Sequence, residues 1–151
     1  MARKDFYARL VYARRMPLIG KLAYYLLKML GVEIPASVEI GEGFYLVHGG
    51  FGVVIHPKTV IGNNVKVYPG VTFGRTDVYK PFDQSRFEQI VVEDYAVIAA
   101  GAKVLCKEGK LTIGEGTVVG ANAVLLESTN PYEIWAGIPA RKVGIRTGDV
   151  E

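Results

Sequence analysis

"VIGNNVKVYPGVTFG", residues 60–74, places Ile61, Val67 and Phe73 six positions apart, with glycine, asparagine and proline among the residues between them. That interval suits neither an amphipathic helix, whose apolar positions recur every three or four residues, nor the two-residue alternation of a hairpin meander. Working outward, the interval is kept by Ile34, Ile40 and Leu46, by Ile55 ahead of Ile61, by Val92, Ile98 and Val104, and by Ile113, Val119 and Leu125. Three breaks, at 47–54, 74–91 and 105–112, are rich in glycine or charge and read as loops inserted into a regular solenoid. Small residues follow many of the apolar ones, as in "IGEG", "IGNN", "IAAG" and "VGAN".

A triangular prism satisfies this pattern. Each hexapeptide forms one short strand and one corner, and three of them close a coil of about eighteen residues. Coils stack at the inter-strand spacing of about 4.8 Å and bury a column of aliphatic side chains. The expected fold is therefore an all-β solenoid, a parallel β-helix of roughly four coils over residues 32–145, with a loop at 74–91. A short helical segment, 1–31, precedes it and a tail, 146–151, follows.

The chain of 151 residues is half hydrophobic, which suits one domain with an ample core. "KLAYYLLKML", 21–30, is too short and too often interrupted by lysine to span a bilayer, and no signal-peptide cleavage pattern follows it. A cytoplasmic protein is expected. Cys106 is the one cysteine, so no intrachain disulfide can form, and it reads as a small buried hydrophobe.

The basic charge is concentrated at the start. Arg3, Lys4, Arg9, Arg14, Arg15, Lys21 and Lys28 face Asp5 alone, so the rest of the chain is acidic on balance. Apolar residues at spacings of three and four, with Pro17 at a helix-start position, predict two amphipathic helices ending at Gly31. Two roles fit residues 1–30. They can lie on an anionic membrane surface at its inner face, with Arg3, Lys4, Arg9, Arg14 and Arg15 toward lipid, or cap the prism and contact partner subunits.

The repeat resembles the left-handed parallel β-helix of the hexapeptide-repeat acyltransferases. The handedness comes from that resemblance, since parallel crossovers are normally right-handed. A γ-class carbonic anhydrase would need three histidine ligands for zinc, and the chain has only His48 and His56. No metal is expected. An ice-binding solenoid would repeat threonine along a flat face, whereas Thr59, Thr72, Thr112 and Thr117 are scattered.

His48 lies in "FYLVHGGFGVV", 44–54, fifteen residues after Glu33 and so near the same corner one coil on. The surrounding segment resembles the active-site region of serine acetyltransferases and related sugar O-acetyltransferases. That resemblance makes His48 the catalytic histidine and Glu33 its acidic partner, while His56 matches no catalytic place. An imidazole can take the proton of an attacking hydroxyl at neutral pH, and a carboxylate can fix its tautomer. The implied reaction is direct transfer of acetyl from acetyl-CoA, without an acyl-enzyme. A backbone N–H near Gly74 or Arg75 is the expected oxyanion donor.

"IAAGAKVL", "VVGANAVL" and "EIWAGIPARKVG" resemble the family's acyl-coenzyme A groove. Ala100, Gly101, Gly120 and Ala121 match its small residues, and Arg141 and Lys142 are placed to pair with the nucleotide phosphates. "AAG" and "GAN" also serve as tight corners, which every coil needs.

At the acceptor the chain departs from serine acetyltransferases. Val47 replaces the aspartate that precedes the catalytic histidine there, and Arg86–Phe87 replaces an Arg-His pair. The family's large N-terminal helical domain is represented only by the short helical pair. With Tyr79, Phe82 and Phe87 among polar groups of the long loop, the expected acceptor is a saccharide hydroxyl in surface polysaccharide synthesis. Serine O-acetylation is the alternative, and a non-catalytic scaffold the third. A homotrimer is implied, with three sites between chains, and no nucleic-acid partner is expected.

Overall fold

In the computed structural model, which describes residues 6–150, the apolar residues of the six-residue series turn inward, and only Ile40 among them is part-exposed. They line three parallel sheets that form the walls of a prism. One wall holds Glu39–Ile40, Thr59–Ile61, Phe87–Val92 and Gly109–Ile113, stacking Ile40, Ile61, Val92 and Ile113 in register. The second stacks Leu46, Val67, Ile98, Val119 and Trp135 on strands Tyr45–Leu46, Lys66–Val67, Val97–Ile98, Val118–Val119 and Glu133–Ala136. The third carries Phe73, Val104 and Leu125 on Thr72–Arg75, Lys103–Cys106 and Val124–Leu125. Trp135 lies ten residues beyond Leu125, so a strict interval of six stops one layer short.

Two edges of the prism turn on left-handed residues. Along one, Gly43, Asn64, Tyr95, Gly116 and Tyr132 take φ between 55° and 70°. Along the other, Gly52, Gly70 and Gly101 lie with Cα atoms so close that a Cβ on either of the first two would sit 3.5 Å from the next glycine. Glycine serves both needs there, positive φ and close stacking of backbone on backbone.

The break at 105–112 is not a loop. Leu105 and Cys106 pair with Gly74 and Arg75, and Gly109 pairs with Phe87, so only Lys107–Glu108 leaves the ladder. Lys107 and Glu108 form the exposed link between the two strands, and Lys110 faces outward from the second. Cys106 is buried, and burial pushes its thiol pKa up.

Helices α1 (Phe6–Ala13) and α2 (Gly20–Met29) cover the first end of the prism by sinking Val11 and Leu27 into the core. The Tyr12 hydroxyl donates to the Gly41 carbonyl at 2.7 Å and accepts from the Phe44 N–H at 3.2 Å. Arg14 corrects the expectation that it faces lipid. Its side chain is buried, and its guanidinium donates to the carbonyls of Val11, Pro35 and Val38, joining the end of the helix to the first coil; the Pro35 carbonyl also accepts from the Val38 N–H at 3.1 Å. Burial, with the neighbouring charge of Arg15, lowers the Arg14 pKa to about 10. Arg3 and Lys4 lie outside the described residues. No helix among the described residues is long and apolar enough to cross a membrane.

At the far end Arg141–Ile145 runs antiparallel along Glu133–Ala136. Glu133 anchors this hairpin. Its carboxylate accepts from Lys142 Nζ at 3.0 Å, Trp135 Nε1 at 2.9 Å and Asn130 N at 2.9 Å, and these donors hold its pKa down at about 2.

Candidate active site

The strand Tyr45–Leu46 ends in a tight turn, Val47–Gly50, in which His48 has φ 52°, ψ 30° and Gly49 φ 77°, ψ 0°. A left-handed conformation disfavours any residue with a Cβ, by roughly 1–3 kcal/mol at a non-glycine site, and it lifts the imidazole of His48 out from the wall. His48 is exposed, whereas Val47 before it is buried. Tyr68, from the next layer of the same wall, stands edge-on to the His48 ring at 6.4 Å between centroids. Tyr7 of α1 fills the space beside Gly49, where a Cβ would come within 2.8 Å of its ring.

The turn lies on the glycine edge. Gly70 N–H donates to the Phe51 carbonyl at 2.9 Å, Gly101 N–H to Pro69 at 2.9 Å, and Asn122 N–H to Ala100 at 2.8 Å. The structure therefore brings His48, Ala100, Gly101, Gly120 and Ala121 onto one edge, with Ala100 and Ala121 exposed along it. Gly120 also has a packing reason, because a Cβ there would meet the Trp135 carbonyl oxygen at 3.1 Å. Lys103, which the sequence did not single out, reaches this edge and donates to the Gly70 carbonyl.

Other expected site residues are not gathered here. Glu33 lies on the adjoining wall, bridged to Val54, and its carboxylate faces Lys28 Nζ at 3.6 Å with no hydrogen bond to His48 among the described residues. Arg141 pairs with Glu127 at 3.4 Å and Lys142 with Glu133, so both cations are engaged in the C-terminal hairpin. Gly74 and Arg75 sit in the ladder opposite Leu105 and Cys106. The Arg75 guanidinium binds Asp77 Oδ1 at 3.1 Å and the Lys80 carbonyl at 2.9 Å. Burial pushes the Asp77 pKa up, but the Ser85 hydroxyl and Arg75 outweigh it and leave the group below the usual carboxylate range.

That lock fixes the long loop. Within it Tyr79 is exposed and Phe82 half-exposed, Arg86 pairs with Glu108 at 3.6 Å on the surface, and Phe87 is buried in the core. His56 stacks on Phe82 at 6.0 Å and meets Phe87 edge-on at 4.6 Å. Burial, then Arg75 and Lys58, lower its pKa, so His56 is a neutral packing residue of the loop. Tyr7, Tyr68 and the Arg75–Asp77–Ser85 lock carry no motif. Only the coil register, which sets Tyr68 one layer from His48, could have pointed to one of them.

No family model matches the chain. The serine acetyltransferase of Bacillus subtilis strain 168 is 37% identical over 137 residues, 90% of this chain and 59% of that protein. A serine acetyltransferase solved in complex with CoA has a TM-score of 0.68 and 33% identity, over 91% of this chain and 54% of that one. The Neisseria gonorrhoeae serine acetyltransferase in complex with serine has a TM-score of 0.73 and 25% identity, over 91% and 55%. This chain thus spans little more than half the length of the proteins it matches.

These likenesses overturn the expected saccharide acceptor and its place in polysaccharide synthesis. The physical reason is visible at two of the positions that suggested it. Val47 and Phe87 are both buried, so their side chains report core packing and not acceptor chemistry. The chain has the left-handed β-helix fold of the hexapeptide-repeat acyltransferases and is a homologue, over nine-tenths of its length, of serine acetyltransferases.

Proposed function

We propose that the protein is an acetyl-CoA-dependent O-acetyltransferase acting on the hydroxyl of L-serine, with His48 as general base. The observation that carries this reading is the exposed, left-handed His48 turn on the same edge as Ala100, Gly101 and Ala121, in a homologue of enzymes solved with serine and with CoA. The small residues leave that edge open to an extended arm lying flat against it, and Lys103 adds a cation beside it. Acetyl-CoA supplies the acetyl group as a thioester. His48 accepts the serine hydroxyl proton as that oxygen bonds the acetyl carbon, then returns a proton to the departing sulfur. A positioned base contributes about 10²–10⁴-fold to such a step.

Glu33 enters as the acid that orients the imidazole. Its pair with Lys28 is about half-exposed on both sides, and a pair of that kind contributes little, so the carboxylate can exchange Lys28 for the ring. The proposal extends to a homotrimer of chains in which residues 1–31 form a cap on the 32–145 domain, His48 of one chain facing the small-residue edge of the next. The test offers L-serine, L-threonine and L-homoserine with acetyl-CoA and measures thiol release. Release with serine above the other two supports the reading; no release above buffer with any of them refutes it.

A further inference from the structure

Helix α2 is apolar on two faces. Gly20, Ala23 and Leu27 face inward and are buried, as the cap requires. The opposite face is apolar too, with Leu22 63%, Tyr25 60% and Met29 83% exposed, and Leu18 in the turn before it is 96% exposed. The spacings 22, 25 and 29 set three of these side chains in one stripe along the helix, and Leu18 stands in the turn before it. A helix with two apolar faces needs an apolar neighbour for each, and this one has a core on one side only.

The charges around the stripe have one sign. Arg9, Arg15, Lys21 and Lys28 are exposed, and no aspartate or glutamate occurs from residue 6 to residue 32. Among the described residues the first acid along the chain is Glu33, at the margin and 3.6 Å from Lys28. Arg14, the one basic side chain of this segment that is buried, is engaged by three carbonyls and takes no part. Pairing this face with the same face of a second copy would bring lysine against lysine with no acid to compensate, which disfavours that contact. A surface of phosphates answers both features, taking the apolar stripe into its boundary and the cations onto its charges.

We propose that the outward face of the helical pair docks on an anionic lipid bilayer, with Leu18, Leu22, Tyr25 and Met29 in the headgroup boundary and Lys21 and Arg15 on lipid phosphates. α2 is about 15 Å long and lies in the surface without crossing it. The docking rests on exposure and charge alone and is independent of acetyl transfer.

The experiment is flotation of the full chain with phosphatidylglycerol-containing vesicles and with pure phosphatidylcholine vesicles, at low and high salt. The protein should float with the anionic vesicles at low salt, and raising the salt should release it. Leu22→Ser with Met29→Ser should lower the bound fraction more than about tenfold at unchanged melting temperature, because both side chains are exposed in the free protein. Lys21→Glu should weaken binding and flatten its salt dependence. Absence of flotation with anionic vesicles at low salt overturns the proposal, as does equal flotation with neutral vesicles. So does a double-serine variant that floats like the wild type. A wild-type chain that ignores vesicles, with a variant that changes oligomeric mass by light scattering, assigns the face to a second copy.

Discussion

The ring of Tyr68 stands edge-on to the ring of His48, with centroids 6.4 Å apart and planes at 71°. The two residues lie one layer apart on the same wall, where Leu46 is in register with Val67. On the proposed function, in which His48 is the base, Tyr68 is placed to position its exposed imidazole. Tyr68→Ala should lower kcat about tenfold with the KM for acetyl-CoA little changed, and Tyr68→Phe should restore the rate. Equal loss in both variants would assign the effect to the hydroxyl.

Glu33→Gln should lower acetyl transfer less than removal of His48 does, because the base survives and only its orientation weakens. The companion variant Lys28→Ala frees the carboxylate of its partner at 3.6 Å and should leave the rate equal or higher. Steady-state rates of the two variants decide this; a wild-type rate for Glu33→Gln would remove Glu33 from the mechanism.

Arg14→Met keeps the apolar stem but takes the guanidinium away from the carbonyls of Val11 and Val38, while the Pro35 carbonyl keeps the Val38 N–H. It should lower stability by about 2–3 kcal/mol in denaturant unfolding, whereas Arg15→Met, at an exposed position, should stay within about 0.5 kcal/mol.

The C-terminal hairpin should loosen in acid. Glu133 has a folded pKa of about 2 against an ordinary 4.5, so its contribution is complete above the ordinary value and is lost as pH falls from there toward 2. Trp135, the one tryptophan, donates to this carboxylate and reports the change by fluorescence. Glu133→Gln should lower the melting temperature at pH 7 and converge with the wild type near pH 2. A constant difference across that range would contradict the assignment.

Much of the prism was legible because one aliphatic side chain per hexapeptide must fill the core, and Ile61, Val67 and Phe73 show that interval directly. The interval failed where the backbone kept pairing out of step, as at Leu105–Cys106 and at Trp135. His48 stood out as one of two histidines, placed beside glycines that the left-handed turn requires. The acceptor was not legible because residue type alone does not show that Val47 and Phe87 are buried in the walls. Ion pairs that engage Arg141, Lys142 and Arg75 join residues brought together by the fold or by a local turn, and no spacing along the chain marks them.

The central claim, that His48 moves the proton in acetyl transfer to serine, is tested most directly by O-acetylserine formation from L-serine and acetyl-CoA, measured by mass spectrometry for the wild type and His48→Ala. Product is expected with the wild type and a rate at least about 10²-fold lower in the variant, with coenzyme A affinity and melting temperature unchanged, since the exposed ring packs into no core. Equal rates in the two proteins would contradict it.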